Sequence, residues 1–562
     1  MAAVENSVHA QHGRLRRRAF LRRVAAAGGA AALACGAARV AMGRQEAGQT
    51  PPIHVATRLV QIAVIAQDKN GPVADLTRDD FAILDRGKPR SVAVFSVEEG
   101  KTAAEAAASP LPPNTFSDLP QYNVAAPRSV TIVLLDNLNT LYGSAPGTYE
   151  STPTWFEDLA LANAKVHLVE FIKQLDPRDR VAIYGLSHSL HVLCDFTNDR
   201  EQLLAILKKY DTTSVTNREV VEPGATHTPV PGEFNATVDQ TNLQMAALSD
   251  QGRAGTTMAA LQAIVAHVTN IPGRKNLVWL TANLPFSGEA IASILSPARI
   301  AAYPVDGRGL LTATPPGGVE GVLDEDAAAK GNFMPAQSPQ PMGIPAMLEM
   351  AEKTGGQAFV NTNDLTGAIR TAVEGSSVTY TLGFYLEARA LDGKFHGLKV
   401  QVKRSGVRLR YPNGYFAYQD KDAAQDQSRR SLMTAVASPL QSSAIPVRVR
   451  IARVDLPFPK SLSLFGSIDI RRLRLAQAEG LRKGEVDVFT IEQDQTGKVL
   501  RQSASRIRLS FSEAQYAEYL KAGFGFHQIV QPQEGVTSLR VVVEEPGTAE
   551  VGSLIVPLSE IK

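Results

Sequence analysis

Residues Ser129–Leu135 (SVTIVLL) form an uninterrupted run closed by Asp136. A strand with one wet face alternates polar and apolar residues. A continuous run instead predicts a strand covered on both sides, as in a parallel sheet between two layers of helices. The following chain keeps to that grammar. Trp155, Leu159, Ala162, Val166, Val169 and Ile172 lie on one helical stripe, which Asp176-Pro177 ends. Val181–Leu193 reads as a strand pair and Arg200–Tyr210 as a helix, with a polar insertion over 211–240. Met258, Leu261, Ile264, Val265 and Val268 mark another helix, and Asn276–Thr281 the next strand. A helix near Ala290–Ser296, a strand over Ile300–Val305, a helix over Ala346–Thr354 and a short strand at Ala358–Val360 complete the series. The expectation for 128–376 is an α/β domain with a doubly wound, mostly parallel sheet. Residues 312–344 read as a long Pro- and Gly-rich loop.

The flanks read differently. Period-two alternation with Gly, Asn and Asp turns predicts an N-terminal β module over 52–97 and a β extension over 377–419. A C-terminal β-sandwich-like domain is expected over 431–562. Residues 98–127 and 420–430 read as linkers.

The first 44 residues hold eight arginines and one acid, Glu5, while the whole chain has a formal charge of only +2. The rest is therefore acidic on balance, and composition gives no support to a nucleic-acid partner. Arg17-Arg18-Ala19-Phe20-Leu21-Arg22 fits the twin-arginine pattern, and a short apolar run follows over Val24–Ala34. This combination predicts a signal peptide and an exported protein: periplasmic, envelope-associated or secreted. Two processing readings stand side by side: cleavage after Ala32-Leu33-Ala34, or lipidation at Cys35. Beyond the leader the sole cysteine is Cys194, so no intramolecular disulfide is expected in the mature chain. No later stretch has the length of a membrane span.

The central segment resembles a von Willebrand factor A (vWA) domain. In that family D-x-S-x-S after the first strand, a threonine from a later loop and an aspartate after another strand hold a divalent cation. Here the first motif is Asp136-Asn137-Leu138-Asn139-Thr140, the later loop offers Thr256 and Thr257, and the third motif is Thr281-Ala282-Asn283. The resemblance implies Asp136, Thr140 and Thr257 as ligands of Mg²⁺ or another divalent ion, which takes oxygen donors. Leu138 and Ala282 replace two expected ligands; Asn139, Asn283 and Asp306 are further edge residues. Asp, Asn and Thr also cap strand-to-helix turns, the plainer role for the same residues.

A narrower resemblance covers nearly the whole mature chain, to the VWFA-related proteins described chiefly from Acidobacteria. It rests on VADLTRDDF (73–81), LLDNLNT (134–140), AYPVDGRG (302–309), AEKTGGQAF (351–359), RYPNGYF (410–416) and VGSLIVP (551–557). Tyr380–Tyr385 and Asp392-Gly393-Lys394-Phe395-His396 add to it. It implies an A-type fold with flanking β modules, export, and no enzymatic activity to carry over.

The functional expectation is an envelope binding or adhesion protein, with no catalytic residues, whose sheet edge meets an acidic protein or glycan partner. Contact with the membrane would run through the leader or a lipid anchor. Loops 211–240 and 312–344 are candidate recognition surfaces. Two alternatives remain. Gly185-Leu186-Ser187-His188-Ser189 approaches a nucleophile-elbow motif without its last glycine, so a hydrolase would centre on Ser187, His188 or Asp306. The third reading is a structural envelope component. No HExxH motif or paired cysteines point to a zinc enzyme.

Overall fold

In a computed structural model, the described residues are 57–99, 111–118, 129–140, 165–176, 179–210, 234–271, 273–307, 343–362, 364–374, 378–387, 390–418, 425–455 and 459–562. The leader residues Arg17, Arg18, Phe20, Leu21 and Cys35 lie outside them, as do most of the expected loops 211–240 and 312–344.

Ser129–Asp136 is the middle strand of a five-stranded sheet. Arg274–Thr281 and then Ile300–Asp306 follow on one side; Arg180–Leu186 and then Leu190–Thr197 follow on the other. The first four run parallel, and Leu190–Thr197 returns antiparallel as the edge. The sheet is therefore mixed, and every other strand pairing described in the chain is antiparallel, apart from one isolated bridge.

The apolar run behaves as its composition demands. Val130, Ile132 and Leu134 enter one core with Leu261, Ile264 and Val268, Ile291 and Leu295, and Met347 and Met350. Val133 and Leu135 enter another with Leu168 and Ile172, Leu203 and Leu207, and Ile369. Successive side chains point to opposite faces, so helices cover both. Truncating one of these wholly buried leucines to alanine costs about 2–5 kcal/mol. The helix expected to begin near Met258 starts much earlier, at Phe234, and runs to Val268. Its N-terminal half, with Asn, Gln, Asp and Gly and no apolar stripe, carries little periodic signal.

The N-terminal β module and the β extension beyond the central domain are parts of one sandwich. Thr57–Asp68 pairs with Val378–Glu387, which pairs with Val94–Glu99. Phe81–Asp85 pairs with Phe395–Val402, which also pairs with Gly414–Phe416. Val64, Phe81, Ile83, Tyr380, Phe384 and Val400 share its core. The five-stranded domain is thus an insertion between Val94–Glu99 and Val378–Glu387. Inside the insertion the packing is close: a Cβ on Gly356 would sit 1.8 Å from the Ala302 carbonyl oxygen. Gly355, at φ +74°, lies against Tyr411 and Pro412, a conformation that side chains resist.

The C-terminal β domain takes two segments read as linkers. Thr115–Ser117 adds to the sheet of Val447–Val454, Ser461–Ile468 and Phe524–Val530, and a helix begins at Gln425. A second sheet is built on Leu481–Gln493, Val499–Phe511, Ser538–Glu544 and Val551–Pro557. A single core lies between the sheets.

Polar groups join this domain to the inserted one. The Ser443 N–H donates to the Ala266 carbonyl at 3.1 Å. His267 Nδ1 lies 2.8 Å from the Gln441 carbonyl and Nε2 lies 3.2 Å from Asp195 Oδ1. Both partners accept, so both ring nitrogens carry protons and the ring is an imidazolium. Burial opposes that charge, but the Asp195 carboxylate and the Gln441 carbonyl outweigh it and raise the His267 pKa. A raised histidine pKa gives stability that is full below the unfolded value, about 6.5, and lost as pH rises through the folded value. In urea titrations from pH 6 to 9, the wild-type chain is expected to lose stability that a His267→Gln variant never had. Parallel pH profiles for the two would refute the imidazolium.

Candidate functional site

Asp136 closes the middle strand with no solvent exposure, because a neighbouring strand flanks it on either side. Its carboxylate caps the four-residue helix Asn137–Thr140. Oδ1 accepts the Asn139 N–H at 2.9 Å. Oδ2 accepts Asn139 Nδ2 at 2.8 Å and the Trp279 indole N–H at 2.8 Å, and the Thr281 hydroxyl is a further hydrogen-bond partner. Asn139 Nδ2 also donates to Thr257 Oγ1 at 3.0 Å, tying the Phe234–Val268 helix to the same point. Burial raises the Asp136 pKa to about 6, and the hydrogen bonds from Asn139, Trp279 and Thr281 offset only part of that rise.

Asp136, Asn139 and Thr257 therefore converge. Thr256, one residue along, is half-buried. For Thr140 the backbone closes the short helix, and its side chain lies outside the described residues. Asn283 shapes its own turn: Oδ1 accepts the Leu284 N–H at 2.8 Å and its carbonyl accepts the Thr281 hydroxyl at 2.7 Å. Asp306 is buried and opposite Thr281 in register. Two strand spacings separate it from Asp136, about 10 Å. Leu138 packs against the core and Ala282 is buried. Trp279 is the member that sequence reasoning missed. Its signal was an indole within the aliphatic run Leu277–Leu280, since a buried indole N–H needs an acceptor.

This donor set does not fit a divalent cation. Such an ion needs several oxygen lone pairs aimed at one point. The one carboxylate here is enclosed by N–H and O–H groups, and the Trp279 N–H points at Oδ2, where like charges would meet. Among the described residues no group of three or more His, Cys, Asp and Glu could hold a metal. The site is a hydrogen-bonded knot linking the middle strand, its neighbour and one covering helix.

A second cluster lies on the same sheet edge. Ser187 follows Leu186, which pairs with Asp136. Ser187 Oγ lies 3.1 Å from His191 Nε2 and 3.3 Å from His188 Nδ1. Burial and His188 lower the His191 pKa. Asp306 is three strands from Ser187, about 14 Å by strand spacing, so these residues make no triad. Cys194 is buried, and burial with the nearby Asp195 and Asp199 pushes its thiol up to about 11, which makes it inert. Among the described residues no helix is long and apolar enough to cross a membrane.

Asp136→Ala would leave the Asn139 N–H and Trp279 Nε1 unpaired in the core and take from Asn139 Nδ2 one of its two acceptors. A loss of about 3 kcal/mol or more is expected in urea unfolding, while EDTA leaves the wild-type midpoint in place. A midpoint that falls with EDTA and recovers with Mg²⁺ would restore the metal. The pH dependence has a definite sign. Because the folded pKa lies above the ordinary carboxylate value, the contribution of Asp136 is full below about pH 4 and lost as pH rises to about 6. The loss is about 3 kcal/mol. Asp136→Asn removes this slope; an unchanged slope would show that Asp136 titrates normally.

No family model matches the chain and no curated protein matches it. Solved structures give distant likenesses. One is an aerotolerance-related membrane protein from Bacteroides fragilis, 15% identical, covering 43% of this chain and 97% of its own, with a TM-score of 0.24. Another is BatB from Bacteroides thetaiotaomicron, 14% identical, covering 43% of this chain and 96% of its own, with a TM-score of 0.24. A third is the PilB minor pilin from Streptococcus sanguinis, 11% identical, covering 44% of this chain and 62% of its own, with a TM-score of 0.22. At such TM-scores none carries an argument about fold or function.

Proposed function

We propose that this is an exported envelope protein of the VWFA-related kind. Its inserted domain is a doubly wound vWA-type domain that binds a protein or glycan partner through the carboxyl edge of its sheet, without a divalent cation. The observation that carries this reading is the knot of Asp136, Asn139, Thr257, Trp279 and Thr281. It lies where the chain leaves the middle strand and where strands are added on either side, the position at which open α/β sheets take their ligands. In this reading the buried carboxylate holds the edge in shape, and the partner touches the surrounding rim rather than Asp136.

The test uses the mature chain, from about residue 45, immobilised against an envelope fraction and a glycan array. Saturable, EDTA-insensitive binding is expected, lost on combining Thr256→Arg and Asn283→Arg. Equal binding by wild type and this rim variant would remove the edge as the contact surface.

The Ser187 contacts favour a second reading, a serine hydrolase, because nucleophile and base lie within hydrogen-bond reach. Against it, Ser187 is only 2% exposed and its histidines have no carboxylate partner among the described residues. A fluorophosphonate probe is expected to leave Ser187 unlabelled; stoichiometric labelling abolished by His191→Ala would establish the hydrolase.

A further inference from the structure

At the opposite end of the same strand lies a positive cluster that the edge reading leaves unused. Arg274, 6% exposed, opens the strand that Thr281 closes, so about 23 Å of strand separates the two ends. Its guanidinium donates to Asn276 Oδ1, the Tyr303 hydroxyl and the Gly355 carbonyl, each at 3.1 Å. Arg410, from the sandwich, hydrogen-bonds the same Tyr303 hydroxyl and is half-buried. Two guanidiniums therefore share one phenol oxygen across the junction of the inserted domain and the sandwich. Among the described residues neither has a carboxylate partner.

Buried positive charge without a counter-charge is strongly unfavourable. The Gly355 carbonyl, at the C-terminal end of the Ile344–Thr354 helix, supplies only about half a negative charge. Two donors are also unmet: Arg410 Nη1 and Asn276 Nδ2 are buried with no acceptor. Water would answer those donors but not the charge. An anion with several acceptor oxygens answers both.

We propose that Arg274, Arg410, Asn276 and Tyr303 form a binding site for a small oxyanion, of the phosphate or sulfate type, at the junction of the two domains. Three of the four residues come from the inserted domain and Arg410 from the sandwich, so the anion joins the two. Burial acts against ionisation of the Tyr303 phenol, yet the two arginines bring its pKa below the ordinary value, as a positive pocket requires. The site stands or falls independently of the edge described above.

The test is thermal unfolding of the mature chain in low-millimolar phosphate, sulfate or chloride at matched ionic strength. Ion chromatography of the denatured, dialysed protein detects anion that copurifies. A saturable rise in Tm with phosphate or sulfate and not chloride is expected, or one equivalent of retained oxyanion. Arg410→Gln, at the half-buried side, weakens the apparent affinity at least tenfold. Arg404→Gln, which removes an exposed guanidinium paired with Asp75, leaves it unchanged. A rise of equal size in wild type and Arg410→Gln would be a general salt effect and would overturn the site. So would no rise together with no retained anion. If Arg410→Gln fails to fold, Tyr303→Phe serves instead: it removes the phenol oxygen on which both guanidiniums meet, so the apparent affinity falls, and an unchanged affinity would count against the site.

Discussion

The strand Arg274–Thr281 is buried at all eight positions, and that constraint organises the inserted domain. A strand enclosed by helices on both faces and by strands on both edges has no water for its polar side chains. Each must find a partner inside the protein. Arg274 does so at the amino end, with Asn276 Oδ1, the Tyr303 hydroxyl and the Gly355 carbonyl. Trp279 and Thr281 do so at the carboxyl end, with Asp136. The two polar clusters are thus consequences of one buried strand, and they lie at the two places where it meets other parts of the chain.

Asp136 illustrates how electrostatics decide between a ligand and a structural knot. A carboxylate that ligates a metal keeps lone pairs free and is compensated by the ion. This one spends its oxygens on Asn139, Trp279 and Thr281, and burial still leaves its pKa near 6. The charge is tolerated rather than strongly stabilised, which suits a group that fixes geometry. The apolar Leu138, packed into the core, fits the same account: where a metal site would place a hydroxyl, this chain places another hydrophobic contact.

The inserted topology gives the molecule its mechanical character. The strands that bracket the insertion, Val94–Glu99 and Val378–Glu387, are neighbours in the sandwich, and Thr115–Ser117, between the first of them and the five-stranded domain, joins the C-terminal sheet. The C-terminal domain is fastened through Ser443, Gln441 and the doubly bonded His267. These contacts are polar and directional, which fixes orientation between domains more than it adds gross stability.

Read alone, the sequence determined the local elements. The run at Ser129–Leu135, the helical stripes and the period-two flanks follow from side-chain periodicity, which is a property of neighbouring residues. It also marked Asp136, Thr140 and Thr257 as belonging together, through their resemblance to a known motif, with Asn139 as a further edge residue. Only the tertiary structure decided pairing. Thr57–Asp68 meets Val378–Glu387 more than 300 residues later, and Thr115–Ser117, in a segment read as linker, completes a sheet of the C-terminal domain. Strand register depends on which distant apolar faces fit, and no local pattern carries that. The same holds for chemistry. The sequence named oxygen donors, but whether Asp136 offers lone pairs to an ion or to Trp279 depends on where the indole points. Arg274 and Arg410 likewise become one cluster only when two domains close around Tyr303.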